Sequence, residues 1–431
     1  MKLLLKGGRV VDPRSGLDRV ADVLISGGVI ERIGTDISHS EAGTVNVSDR
    51  VVAPGFIDLH VHLRDPGLTE KEDIRTGTMS AARGGVTTVV AMPNTRPVCD
   101  APELVDYVAR HPGACVNVLP AAAVTKQSKG VELTDFAALR DAGAVFLTDD
   151  GETVMDSRVM REAMIKAREL DLPVVTHCED KNLSRGAVMH DGETARRLGY
   201  RGMPSSAESV MVARDIMLAA ETGCHLHITH VSVKESVELV RLAKRHGIHV
   251  TADVTPHNFS LTDERVAVAG SNAKMYPPLR TRADVDAICE GLADGTIDAI
   301  ATDHAPHTPV EKAQGMEAAP KGVVGLETAL AVAVTYLVLK KTLTIPEMIA
   351  KFTLAPADIL RTGTGALQPG KPADVTVFNA GKEWVVQPAE FLSKGRNTPF
   401  EGFTLTGRPQ MTIVRGSVRM HGGQVFCPAG Q

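Results

Sequence analysis

Between Phe56 and Thr302 the chain alternates short apolar runs with longer stretches in which apolar residues recur every three or four positions. Eight runs have the length and β-branched character of strands: Phe56 to His62, Val86 to Met92, Val116 to Ala122, Ala144 to Thr148, Pro173 to His177, His225 to His230, His249 to Val254 and Ile297 to Thr302. Amphipathic stretches lie between them, among them Lys71 to Arg83, Ser157 to Glu169, Ser206 to Glu221, Lys234 to His246 and Ala283 to Leu292. Strand and helix alternating eight times predict right-handed crossovers and a closed (β/α)8 TIM barrel, assigned to residues 55–365. The ends of the chain have a different pattern. Residues 1–54 read as short strands (Leu3 to Lys6, Arg9 to Val11, Ala21 to Ile25, Val29 to Ile33), with tight hairpins expected at Gly7-Gly8 and Gly27-Gly28. Residues 366–431 repeat that style with Ala373 to Phe378, Met411 to Val414 and Ser417 to Met420. Neither terminal piece can bury both faces alone, so the two are expected to meet in one small composite β-sandwich.

Composition fits this picture. Hydrophobic residues make up 43% of the 431 residues but aromatics only 3%, so the core must be built from Ala, Val, Ile and Leu, which suits parallel strands covered by helices. A net charge of -5 and a pI near 6.3 give no electrostatic reason to expect nucleic acid or an anionic membrane as partner. The six cysteines (Cys99, Cys115, Cys178, Cys224, Cys289, Cys427) contain no C-x-x-C pair, and reduced thiols in a cytoplasm are expected. The N-terminal apolar stretch is too short for a signal peptide, and the late run Ala329 to Leu339 falls short of the ~18 residues that span a bilayer. The expected protein is soluble and intracellular.

Barrels of this kind carry their chemistry where strands end and βα loops begin. Read in turn, those ends hold His60, His62 and Arg64; Asn94; Thr125; Asp149-Asp150-Gly151; His177; His230; His257; and Asp303, His304 and His307. Side chains alternate along a strand, so His60, His62 and Arg64 face one way. A His-x-His after strand one, single histidines after strands five and six and an aspartate after strand eight form a metal constellation.

These residues resemble the amidohydrolase superfamily, and within it the bacterial dihydroorotases of the longer, type I kind. The resemblance is carried by Gly55-Phe56-Ile57-Asp58-Leu59-His60-Val61-His62-Leu63-Arg64, Met92-Pro93-Asn94-Thr95, Thr148-Asp149-Asp150-Gly151, His177-Cys178-Glu179-Asp180 and Ile228-Thr229-His230. It continues through Asn272 to Arg280, Ala301 to His307 and Ala319 to Thr328, and so spans the whole barrel. It implies one or two zinc ions, with His60, His62 and Asp303 at one position and His177 and His230 at another. Strand four has no lysine to bridge them. The type I pattern uses an aspartate there, Asp150 by position, with Asp149 as the alternative because neighbours on a strand face opposite ways. The implied reaction is hydrolysis of a cyclic amide: zinc lowers the pKa of water toward ~7 and polarises the scissile carbonyl, and Asp303 shuttles the proton to the ring nitrogen. Arg64 offers a fork for the substrate carboxylate, Asn94 and His307 add donors, and the loop from Asn272 to Leu279 is implied to lie beside the ring. Dihydroorotate and carbamoyl-aspartate are then the small-molecule partners. A homodimer, or a complex with aspartate carbamoyltransferase, is the implied assembly.

Blander roles are expected elsewhere. Asp58 should support the metal site without ligating, His257 should be a hydrogen-bonded structural histidine, and Cys178 should pack. His225 and His227 oppose His230 by alternation and should point outward, His304 faces away from Asp303, and Lys71-Glu72-Asp73 reads as a solvated helix start. Two rivals stand beside the favoured reading. Another cyclic amidohydrolase (hydantoinase, dihydropyrimidinase or allantoinase) would typically carry the strand-four lysine, and its uncharged substrate would leave Arg64 without a role. A catalytically silent scaffold for aspartate carbamoyltransferase would lose metal ligands, whereas all six are present here.

Overall fold

A computed structural model describes residues 2–427. The N-terminal strands are β1 (Lys2–Asp12), β2 (Leu17–Ser26), β3 (Val29–Gly34), β4 (Gly43–Asn46) and β5 (Val51–Pro54); the C-terminal ones are β15 (Val375–Val385), β16 (Thr404–Val414), β17 (Ser417–His421) and β18 (Gln424–Val425). They join in one nine-stranded sheet, ordered β18-β17-β16-β15-β5-β1-β2-β3, with β4 also on β1. The seam between the two ends of the chain is the antiparallel pairing of Val51 to Pro54 with Val375 to Phe378. Alternate residues from both halves (Leu3, Leu5, Val10, Val23 and Ile25 with Val375, Val377, Met411 and Ile413) share one core, which neither half could enclose alone. Gly27 and Gly28, both at positive φ, make the expected hairpin between β2 and β3. Gly7-Gly8 does not make one. There β1 runs on through a bulge whose register shift lies between Leu5 and Gly8, and Gly7 takes the positive φ.

The barrel closes through all eight expected positions. Strands β6 (Phe56–Val61), β7 (Val86–Ala91) and β8 (Asn117–Pro120) are parallel neighbours. The segment 145–148 follows, linked by Leu147 to Ala122 on one side and Val174 on the other. Then come β9 (Val174–Thr176), a small pair formed by β10 (Met189–His190) and β11 (Gly202–Met203) outside the ring, β12 (Leu226–Ile228), β13 (Val250–Val254) and β14 (Ala299–Ile300). A bridge from Val61 to His304 shuts the ring.

Helices start where the sequence supplies caps: Asp73 caps Ile74–Arg83 and Asp156 caps Ser157–Glu169. Inside, Ile57, Leu59, Val90, Phe146, Val175, Ala299 and Ala301 pack with Ala357, Ile359 and Leu360 of the helix Leu354–Leu360. That apolar plug fills one end, so polar chemistry is confined to the strands' C-terminal end.

The cysteines depart from expectation. Cys115, just before β8, and Cys427, after β18, form a disulfide with Cα atoms 4.8 Å apart. The terminal sheet lays its last strands against the helix Ile74–Arg83, which brings together two residues 312 positions apart. The remaining cysteines are free.

Candidate metal centre and substrate pocket

Two donor sets meet at the open end of the barrel. His60 Nε2 and His62 Nε2 lie 3.3 and 3.5 Å from Asp150 Oδ2, and 3.5 and 3.0 Å from Asp303 Oδ1. On the other side of the same carboxylate, Asp150 Oδ1 is 3.8 Å from His177 Nδ1 and 3.7 Å from His230 Nε2, which are 3.1 Å apart. Ligands about 2.0–2.1 Å from a tetrahedral zinc stand roughly 3.3 Å from one another, so both sets have the spacing of a metal's coordination shell. Two of these atoms, His60 Nε2 and Asp150 Oδ1, are buried with no hydrogen-bond partner. Such atoms are costly unless something fills the gap between them, as a cation would. The residues present therefore fit a metal pair bridged by Asp150.

The cluster is buried and strongly charged. Burial alone would favour neutral side chains, but carboxylates and imidazoles offset one another. Burial raises Asp303 and the neighbouring His60 and His62 lower it more, to about 2, while Asp150 is likewise held well below the carboxylate range. Burial lowers His60, and Asp150 and Asp303 outweigh that, lifting it to about 10.

Outer contacts fix each ligand. His60 Nδ1 meets Thr229 Oγ1 at 2.9 Å, and Thr229 in turn donates to Asp253, which also accepts from the His230 backbone at 2.6 Å and pairs with His227 Nε2 at 2.9 Å. His62 Nδ1 meets Asn94 Oδ1 at 2.9 Å, and His177 Nε2 meets Glu179 Oε2 at 2.9 Å. Asp58, buried and raised to about 6 by desolvation, accepts from the backbone of both His60 and Thr302, tying β6 to β14. Such contacts set tautomer and ring orientation. Three residues at strand ends, Arg64, His230 and Asp303, have positive φ, a conformation L side chains seldom adopt.

Beside the cluster opens a cavity of about 160 Å³ lined by Arg64, Asn94, Tyr276, His307, Lys321 and Gly322 as well as cluster residues. Arg64 is 9% exposed, and among the described residues no carboxylate lies within 4.0 Å of it. Its polar neighbours are the Pro306 carbonyl and His307 Nε2, both at 3.4 Å.

The structure thus brings together His60, His62, Asp150, His177, His230 and Asp303, and sets Arg64, Asn94 and His307 against them. Asp149 is turned away, its carboxylate bound to the Thr125 backbone and hydroxyl. Asn272 sits elsewhere: a short turn over Gly270–Ala273 places it in an adjoining cavity, and the same loop sends Tyr276 into the pocket instead.

Other expectations need correcting. His227 does not point outward. Leu226 and Ile228 take the face toward the helices, and His227 turns with Thr229 to Asp253, because the left-handed backbone at His230 breaks the alternation from which its direction was inferred. Glu72 is not solvated: it is fully buried, accepting from Ser393 and lying 3.5 Å from His304 Nε2. His257 is buried, yet no side-chain hydrogen bond holds it among the described residues; burial pushes it down to about 4, within electrostatic reach of Asp303 and His230. Cys178 packs as expected, its thiol near Thr176 and Asp215 and raised by burial. Glu179, Thr229, Asp253, Tyr276 and Lys321 were not assigned roles from the sequence. An acidic residue within the short strand β13 was the available signal for Asp253; Lys321 had none.

A closed barrel with paired His and Asp donors at its open end, and a β domain built from both chain termini, defines an amidohydrolase. Consistent with that class, the fold superposes on the L-hydantoinase (dihydropyrimidinase) from Arthrobacter aurescens with a TM-score of 0.89, covering 98% of this chain and 97% of that one at 26% identity. Residues 49–236 match the dihydro-orotase-like family model. The chain is 50% identical over 425 residues to the dihydroorotase of Pelotomaculum thermopropionicum, covering 97% of this chain and 99% of that protein. It is 53% identical over 376 residues to the dihydroorotase of Geobacillus thermodenitrificans, covering 87% and 88%. It belongs to the dihydroorotase family, enzymes that hydrolyse a cyclic amide.

Proposed function

We propose that the protein is a zinc-dependent dihydroorotase that interconverts dihydroorotate and carbamoyl-aspartate in pyrimidine biosynthesis, in the cytoplasm. The observation that carries the substrate assignment is Arg64: a buried guanidinium with no carboxylate partner, facing the pocket beside the donor cluster. Burying a permanent cation unpaired is costly, and a substrate carboxylate would relieve that cost through bidentate pairing.

His60, His62, Asp150 and Asp303 would hold one metal, and Asp150, His177 and His230 the other. Bound there, zinc supplies a water acidic enough to ionise near neutral pH and polarises the scissile carbonyl. The chain's own residues do the rest. Arg64 orients the substrate carboxylate, with the His307 ring set beside its guanidinium, fixing which ring amide faces the cluster. Asp303 engages His62 through Oδ1, while its Oδ2 makes no hydrogen bond among the described residues and is free to accept a proton and return it to the departing ring nitrogen. Asn94 spends its carbonyl oxygen on His62 and one amide proton on the Asp150 main-chain carbonyl at 3.4 Å, leaving the second amide proton for the pocket it lines.

The test is a zinc-loaded assay of dihydroorotate against hydantoin and dihydrouracil, with metal content measured on the same sample. Dihydroorotate should be preferred by at least about a hundredfold in kcat/KM, the scale expected when a buried charge loses its partner. Equal or greater activity on the uncharged rings would sink the assignment. A homodimer, or a complex with aspartate carbamoyltransferase, is the assembly this reading expects, to be checked by sedimentation.

A further inference from the structure

One wall of the pocket is the main chain around Lys321 and Gly322, and the groups that hold this wall are unusual. Lys274 and Lys312 are 5% and 4% exposed, and neither has a carboxylate within 4.0 Å among the described residues. A buried ammonium without a counter-ion is costly. Both spend their donors on main-chain carbonyls. Lys312 Nζ donates to the carbonyls of Lys274 (3.3 Å), Pro320 (3.0 Å) and Gly322 (3.0 Å), which uses all three of its protons. Lys274 Nζ donates to Glu317 (3.0 Å) and Ala319 (2.6 Å), and its own carbonyl accepts from the Gly322 backbone at 2.9 Å. The Lys321 carbonyl is met by His307 Nε2 at 2.7 Å, and Asn397 adds a second donor to Gly322. Five of the six carbonyls from 317 to 322 are thereby engaged. Neither lysine lines the substrate pocket, so the oxygens they hold are engaged from outside it. A wall whose main-chain acceptors are already engaged by N–H donors suits an anionic ligand.

We propose that Lys274 and Lys312 are positioning residues: a two-lysine clamp that fixes the 317–322 main chain, and through the Lys321 carbonyl the ring of His307, as the wall against which the substrate is held while Arg64 binds its carboxylate. The proposal rests on the dihydroorotate reading for the identity of the anion; the clamp itself does not. The clamp acts on ground-state binding, so it should appear in KM and leave kcat and metal content little changed.

The test uses the zinc-loaded full chain with Lys312→Met and Lys274→Met, which keep the length of the stem and remove the charge. Each should raise KM for dihydroorotate about tenfold with kcat within about threefold. Hydrogen exchange of the peptide spanning 317–325 should quicken by at least about tenfold, with other pocket peptides unchanged. Lys312→Arg, which keeps charge and donors, should recover part of the KM. Unchanged KM alongside faster exchange at 317–325 would overturn the positioning role, and zinc loss would reassign the lysines to the metal site. Should either variant fail to fold, the unaltered protein still decides: exchange at 317–325 as fast as in an exposed loop would refute the clamp. Failure of the wild type to open dihydroorotate would instead refute the substrate assignment, leaving the exchange measurements to judge the clamp separately.

Discussion

Histidines crowd both ends of the barrel and do opposite things there. At the C-terminal end His60, His62, His177 and His230 converge on Asp150 and Asp303, with unpartnered donor atoms aimed at one another. At the other end His225 and His249 stack ring on ring, centroids 4.1 Å apart and nearly parallel. Among the described residues no carboxylate joins that pair within 4.0 Å, and burial with the neighbouring His249 pushes His225 down to about 3, so the ring is neutral. Its Nε2 meets Thr251 at 3.0 Å. The residue type is therefore uninformative by itself. A buried histidine becomes a candidate ligand where further histidines converge with it on one carboxylate, and a supporting or packing group where they do not.

Breaking the carboxylate side should have the largest effect. Asp150→Ala removes the atom pair common to both donor sets, and should strip metal and lower activity by at least about a thousandfold. Asp149→Ala should leave metal content near normal, because that side chain serves Thr125; equal metal loss in the two variants would refute the bridging role. Arg64→Ala comes next, with kcat/KM for dihydroorotate falling by about 2–4 kcal/mol equivalent and zinc retained, read from paired kinetics and metal analysis. Asp253→Asn tests the support beneath His60 and His230. It should weaken zinc affinity by about 10–100-fold, measurable by competition with a chelator, without altering which substrate is preferred.

The smallest functional effect belongs to the opposite end. His225→Leu should leave activity and metal content within about twofold. It should, however, change the response to acid. In the native state His225 resists protonation until about pH 3, whereas in the unfolded chain it binds a proton near its ordinary value of 6.5. Stability is therefore present above that value and lost as pH falls through the interval, by an amount on the order of a few kcal/mol. Urea midpoints at pH 7 and pH 4 should differ less in the variant than in the wild type; an unchanged difference would show that the stacked pair does not carry this loss.

Much of the site was legible because a parallel barrel ties sequence position to space. His60, His62, His177, His230 and Asp303 each follow an apolar run, and the fold collects such positions at one rim. Alternation resolved less. It could not choose between Asp149 and Asp150, which differ only in that Thr125 captures the first. It misdirected His227, since His230 adopts a left-handed backbone that a period-two pattern does not describe. Composition misled at Glu72, whose charged neighbours suggested solvent although the C-terminal segment covers it with Ser393. The loop from Asn272 to Leu279 was correctly drawn to the pocket region, yet the residue facing the cavity is Tyr276.

By itself, then, the sequence determined the barrel, the composite terminal sheet and the roster of donors, because hydrophobic period and strand-end chemistry are local properties of a chain. The tertiary structure alone decided which groups are without partners: the orphaned atoms of His60 and Asp150, the carboxylate-free Arg64, and the lysines that hold carbonyls instead of acids. It also decided the Cys115–Cys427 link. Each depends on what lies across the fold from a residue, and a side chain's charge acquires its meaning from the partner that long-range packing supplies or withholds.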